Sequence, residues 1–337
     1  MIEILAPGLL STIQDLGRTG LGSLGVGRTG AMDRLALQLA NAMLGNDCGA
    51  AAVEITVGGF ECKVLERVDI CLAGADCKAT LDGKPLPRWW VQTLLPGQVL
   101  RTGFSTTGMR GYVGFLGGLD VPSVLGSAST DMKGGFGGLD GHALKKGDRL
   151  AARTSSRQDR PLAFGLSPSV WETLFATLAV PTVLRFIPAA EWGDYDEDNQ
   201  ARFTSSDWTI TQDSNRVGYR LDGPEIVPKV RKELLSHGIL PGTIQLPPSG
   251  KPVIQLADAN TAGGYPKLGV VIEEDLSLLA QARLGSSLRF VPCSLADARE
   301  ARETQRQLIE DVRKCAMIHL PAPTSPSSTQ ETSHEIH

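Results

Sequence analysis

Glycine sets the terms of what this chain can fold into. Thirty-eight of its 337 residues are glycine, and the apolar runs between them are short. Glycine inside a helix costs roughly 1 kcal/mol relative to alanine, so a chain cut this often does not build a helical bundle. What glycine supplies is tight turns, and short apolar runs joined by tight turns read as β-structure. Residues 53–57, 61–64, 68–72 and 112–116 read as strands, as do 183–187, 208–211 and 253–256. Asp82-Gly83, between two such runs, reads as a hairpin turn. Helices are few. Residues 31–44 place Met32, Leu35, Leu39, Ala42 and Met43 on one face and stop at Gly45-Asn46. Ser167-Pro168 opens a short helix through 178, residues 276–282 read as a helical turn, and Ser294 caps a last helix over 295–316. The fold class is mainly β with a few helices.

The organisation is bipartite. Residues 1–155 form one β-rich lobe, and residues 156–318 form a second that ends in the last helix, with a polar link near 154–160. A glycine turn before a strand entry recurs at Pro96-Gly97, Lys146-Gly147 and Leu284-Gly285, which is compatible with two lobes of related design. Residues 319–337 are rich in Pro, Ser and Thr and poor in large apolar side chains, so they read as a disordered tail.

Charge narrows the function. Lys+Arg 33 against Asp+Glu 37 gives a net −4, and such a chain has no general electrostatic claim on nucleic acid or an anionic membrane. No apolar run approaches the ~18 residues that span a bilayer, and Glu3 stands where a leader would be basic. The six cysteines form no C-x-x-C pair. A chain long enough for its own core does not need them as disulfides, and they read as reduced thiols of a cytoplasmic protein.

Several motifs fail on context. Gly20-x-Gly22-x-x-Gly25 matches the dinucleotide fingerprint by letter, but no buried strand precedes it and the helix starts late. Gly83-Lys84 and Gly250-Lys251 both run into proline, so there is no Walker loop. No Met-Lys-Met occurs, so no biotin is attached to this chain. His334-Glu335-Ile336-His337 has the wrong spacing for a metal helix, and no metal site is expected. Trp89-Trp90 reads as core or interface packing.

Polar side chains gather among glycines in four segments: 14–33, 117–131, 214–223 and 243–267. In the third, Arg216 and Arg220 stand four apart. Each guanidinium suits a ligand carboxylate or phosphate, or equally an ion pair within the protein. The fourth carries Asp258, Asn260, Thr261, Gly263, Gly264, Tyr265 and Lys267, which is either a ligand loop or a turn with polar caps.

Taken in order, Thr12-Ile13-Gln14-Asp15-Leu16-Gly17-Arg18, Gly30-Ala31-Met32-Asp33, Leu125-Gly126-Ser127 with Ser129-Thr130, residues 216–221, Pro241-Gly242-Thr243-Ile244-Gln245 and Gly263-Gly264-Tyr265-Pro266-Lys267 resemble the biotin-dependent carboxyltransferase family, also called the allophanate hydrolase subunit 2 family. The resemblance spans about residues 2–295. It departs from the usual pattern at Gly27, Thr29, His142, Asn215, Val217 and Ala262.

The resemblance implies two cyclophilin-like antiparallel β-barrel lobes. It implies a subunit of an ATP-dependent 5-oxoprolinase, opening the 5-oxoproline lactam to glutamate and active only in a complex. ATP is then the cofactor, shared with partner subunits. Those partners are an allophanate-hydrolase-subunit-1-like protein and a lactam-utilisation-type protein. Asp258, Tyr265 and Lys267 are the expected catalytic residues, with Lys267 and the Gly263-Gly264 amides facing negative charge on the amide oxygen and Asp258 orienting Lys267 or positioning water. Gln14, Arg18, Arg216, Arg220, Gln245, Thr261, Gly263 and Gly264 are the expected substrate contacts. Two other readings of the same family are a carboxyltransferase subunit of a urea-carboxylase-like biotin enzyme and a non-catalytic antagonist of a sensor-kinase inhibitor.

Overall fold

The computed structural model describes residues 1–153, 161–167, 181–229 and 234–320. The strands of the first lobe are β1 (Ile2–Pro7), β2 (Leu10–Gln14), β3 (Ala52–Thr56), β4 (Phe60–Val64), β5 (Val68–Gly74), β6 (Thr80–Leu81), β7 (Lys84–Pro85), β8 (Trp90–Leu94), β9 (Val99–Arg101), β10 (Arg110–Phe115), β11 (Arg149–Leu150) and β12 (Ala163–Gly165). They make two six-stranded sheets, β11-β1-β4-β9-β6-β7 and β12-β8-β5-β10-β3-β2. Ile4, Phe60, Val64 and Leu100 of the first meet Ile13, Val53, Leu94 and Phe115 of the second in one core. Between β6 and β7, Asp82 (φ 49°) and Gly83 (φ 80°) both take the left-handed conformation that a two-residue hairpin turn demands.

Helix α1 (Arg34–Met43) covers the outer face of the second sheet. That is why every residue of β5 is buried: Ile70 and Leu72 face the other sheet, while Cys71 and Ala73 face the helix. The helix starts three residues later than its apolar pattern does. Asp33 caps it, accepting the Ala36 amide at 2.9 Å.

The second lobe holds β13 (Thr182–Pro188), β14 (Trp208–Ile210), β15 (Gly218–Asp222), β16 (His237–Gly238), β17 (Thr243–Gln245), β18 (Val253–Gln255), β19 (Ala262–Gly263), β20 (Lys267–Val271) and β21 (Ser287–Pro292), with α2 (Glu197–Ser205), α3 (Leu276–Gln281) and α4 (Leu295–Met317). Seven strands close a barrel, β13-β20-β17-β18-β15-β14-β21, around Phe186, Trp208, Tyr219, Ile244, Ile254, Leu268 and Phe290. All its pairs are antiparallel except β13 with β21. Strands β16 and β19 pair as a separate ribbon.

The mainly-β reading with few helices holds, and one of the two lobes closes as a barrel among the described residues. Strand β12 continues the first lobe's sheet beyond residue 155. Helix α4, although it follows the barrel in sequence, buries Val312 and Ala316 against the α1 core. The ring of His319 stacks on Phe164 at 4.9 Å and Leu320 packs on the same core, so the first two residues of the expected tail are ordered by packing. The rest of that tail, the expected link and the helix expected over 168–178 lie outside the described residues. Trp89 is fully buried in the α1 core and Trp90 packs at the inter-sheet core. Among the described residues no helix is long and apolar enough to cross a membrane.

Candidate functional site

Two of the four polar segments are consumed by the scaffold. The Asp15 carboxylate accepts the Gly17 amide, the Ala128 amide and the hydroxyls of Ser127 and Ser129, all at 2.6–2.7 Å. Gln14 is buried beside it, donating to Thr12 Oγ1 and the Thr130 carbonyl. Arg18 spends its guanidinium on the Val124 and Ser129 carbonyls and on Thr29 Oγ1, with its flat face 4.6 Å from the Phe136 ring centroid. Burial opposes its charge, and Asp131 and Asp15 offset that in part. Arg18 and Gln14 therefore brace a loop cluster, away from the barrel wall.

Arg216 is likewise claimed. Its guanidinium donates to Glu54, to both oxygens of Asp258 at 2.8 and 3.0 Å, and to the Gly30 carbonyl at 2.7 Å. Burial opposes its charge, but Glu54 and Asp258 outweigh burial and hold its pKa above the ordinary value. Asp258 is thus committed to Arg216 and does not orient Lys267. The other Glu54 oxygen accepts from the Tyr112 hydroxyl and the Met32 amide. Nearby, Gln281 of α3 donates to Asp33 Oδ2 at 2.6 Å. Burial pushes the Asp33 carboxyl up, against the hydrogen bonds from Gln281 and the Ala36 amide. Glu54, Tyr112 and Asp33 belong to the first lobe, and Arg216, Asp258 and Gln281 to the second. The network is the seam between them.

Of the remaining residues, Arg220, Gln245, Gly263, Gly264 and Tyr265 converge. Tyr219, Ile244 and Ile254 point into the barrel. By strand alternation their neighbours Gly218, Arg220, Gln245, Val253 and Gln255 face out of it. The β15–β18 and β17–β18 registers set these side by side, and the β16–β19 ribbon stands over them. The result is a cavity of ≈ 340 Å³ lined by Arg220, Gln245, Gln255, Asn260, Gly263 and Tyr265, among others. Gln245 is buried. Its Oε1 accepts from Gln255 Nε2 at 2.9 Å, and its Nε2 has no partner among the described residues. Arg220 is exposed, and no side-chain partner is found for it among the described residues. Tyr265 forms part of the wall and is 48% exposed.

Lys267 does not line this cavity. It is 8% exposed, and its Nζ donates to the Gly238 carbonyl at 2.9 Å, tying the ribbon to the barrel. Burial lowers its pKa, with Glu191 offsetting part of the drop. Its ammonium is thus held within the fold and is not aimed into the cavity as an oxyanion donor. Thr261 contributes its carbonyl to the Ile239 amide beside the ribbon. Asn215 and Asn260 also line the cavity, and Gln255 is the lining residue that sequence reading passed over. The polar member of an apolar strand looks like an ordinary solvated face until its neighbours are known.

This barrel wall can be placed among known proteins. The model of the carboxyltransferase domain, subdomain A and B, matches residues 24–292. The chain belongs to this carboxyltransferase family. It is 40% identical over 312 residues to the C subunit of 5-oxoprolinase from Escherichia coli, covering 93% of this chain and 97% of that protein. It is 37% identical to the C subunit of 5-oxoprolinase from Haemophilus influenzae over 93% of this chain and 98% of that one. Urea amidolyase of Saccharomyces cerevisiae is 32% identical over 92% of this chain, but the match covers 18% of that longer protein. Among solved structures, Kluyveromyces lactis urea carboxylase superposes with a TM-score of 0.83 at 29% identity, covering 95% of this chain and 30% of that one. Urea amidolyase of K. lactis gives 0.82 at 28% identity, over 92% of this chain and 20% of that one.

Proposed function

We propose that this family member is the C subunit of an ATP-dependent 5-oxoprolinase and that the cavity on the barrel wall holds 5-oxoproline. The identity to the two bacterial 5-oxoprolinase subunits runs over nearly the full length of both chains, which supports the assignment. The observation that carries the site is the pairing of the unengaged Arg220 guanidinium with the unpartnered Gln245 amide N–H in one small cavity. A substrate with one carboxylate and one lactam amide matches that pair. The guanidinium takes the carboxylate. The buried amide donor takes the lactam oxygen, where negative charge grows as the ring is attacked. Tyr265, Gly263 and Gly264 close the wall around the ring.

The start of α1 offers ATP no free backbone cradle. The approach to α1 is glycine-rich, but the Met32 amide is taken by Glu54, the Asp33 amide by Tyr112, the Leu35 amide by Ser277 and the Ala36 amide by Asp33. We therefore assign ATP to the assembled enzyme, with an allophanate-hydrolase-subunit-1-like protein and a lactam-utilisation-type protein as partners. The cysteine thiols, all free, support a cytoplasmic setting.

Reconstitution tests this. The chain alone should show negligible 5-oxoproline-dependent ATP hydrolysis, and mixing with both partners should yield glutamate and ADP together. A complex inert toward 5-oxoproline that instead carboxylates urea with a biotin carrier overturns the assignment.

A further inference from the structure

A second cavity, of ≈ 580 Å³, shares Pro247, Gly264 and Tyr265 with the first, and the proposed reaction leaves it unused. Its chemistry is different. Pro228, Pro247, Pro248 and Pro266 line it together with Ile226 and Leu246. A prolyl nitrogen carries no N–H, so these four residues offer the interior no backbone donor. The lining is predominantly apolar, which favours a largely apolar occupant. The prolines also fix the backbone around the space, so little ordering cost attends binding.

One buried polar residue stands in the wall of this cavity. Tyr195 lines it, is 1% exposed, and its hydroxyl has no hydrogen-bond partner among the described residues. Burial, with Asp194 and Glu191 nearby, pushes the phenol up to about 12, so the group is a proton donor across the working pH range. A buried donor left unpaired costs free energy that an acceptor recovers. Glu225, an exposed residue, also lines the cavity. Its carboxylate disfavours anionic ligands, so the cavity discriminates against the carboxylate substrate placed next door.

We propose that this cavity is a separate binding site for an uncharged small molecule built of an apolar ring or short chain and one carbonyl-type acceptor, the acceptor taking the Tyr195 hydroxyl.

Three probes of one shape test it by calorimetric titration of the full chain: acetophenone, ethylbenzene, which lacks the acceptor, and benzoate, which is anionic. Acetophenone should bind saturably at one site. Ethylbenzene should bind roughly tenfold or more weakly, since a satisfied buried donor is worth about that much, and benzoate about two- to fivefold more weakly through the like charge of the exposed Glu225. Tyr195→Phe should bring acetophenone down to the ethylbenzene level, and Glu225→Gln should strengthen benzoate. Equal binding of acetophenone and ethylbenzene by the unmodified chain, or no saturable binding of acetophenone up to its solubility, overturns the proposal without reliance on any variant.

Discussion

Arg216 and Arg220 stand four residues apart and have opposite fates. Arg216 precedes β15 and is enclosed by Glu54 and Asp258, whereas Arg220 lies on the outward face of β15 with its side chain exposed. The sequence alone could not separate them, because Glu54 lies 162 positions from Arg216 and nothing in the local pattern announces it. The physical difference yields a prediction. Arg216→Met leaves Glu54 and Asp258 buried without their cation, so the chain should lose about 3–5 kcal/mol of unfolding free energy. Denaturant unfolding measures this, and a loss below about 1 kcal/mol would mean that the seam does not depend on the pair. Lys267 makes the same point about legibility. A lysine after Gly-Gly-Tyr-Pro looks like a ligand donor, yet its ammonium is bound to the Gly238 carbonyl, a tie that needs the ribbon to form first.

Among the elements, those defined by local chemistry were legible. The Ser294 cap, the Asp82-Gly83 turn and the apolar face of α1 all act within a few residues. What was not legible was set by register between distant strands: the closure of the barrel, its one parallel pair, and the polar face made from Arg220, Gln245 and Gln255 on three different strands. The return of α4 onto the first lobe was hidden for a similar reason. Its sequence is strongly polar and only Val312 and Ala316 are fully buried, a seam too narrow to name its partner. The helix does carry a complete capping box, in which Ser294 Oγ accepts the Asp297 amide at 3.1 Å and the Asp297 carboxylate accepts the Ser294 amide at 2.8 Å. Ser294→Ala removes one half of it and should lower stability by about 1 kcal/mol. Hydrogen exchange should show faster exchange confined to the first turn of α4, and an unchanged exchange pattern there would count against the cap.

At the scale of the whole molecule, the seam formed by Arg216, Glu54, Asp33 and Gln281 fixes the lobes to each other, while the candidate substrate cavity lies between the outer wall of the second lobe's barrel and its ribbon. Structural integrity and the proposed substrate contacts therefore rest on different residues, and a substitution can address one without the other. Arg220 is the point where they part most cleanly. The decisive measurement is steady-state kinetics of the reconstituted complex carrying Arg220→Ala, with the melting temperature recorded alongside. The account predicts an unchanged melting temperature, a KM for 5-oxoproline raised roughly tenfold or more through loss of the charge-assisted contact, and an unaltered KM for ATP. A correctly assembled variant with an unchanged KM for 5-oxoproline would contradict it and would move the substrate off this barrel wall.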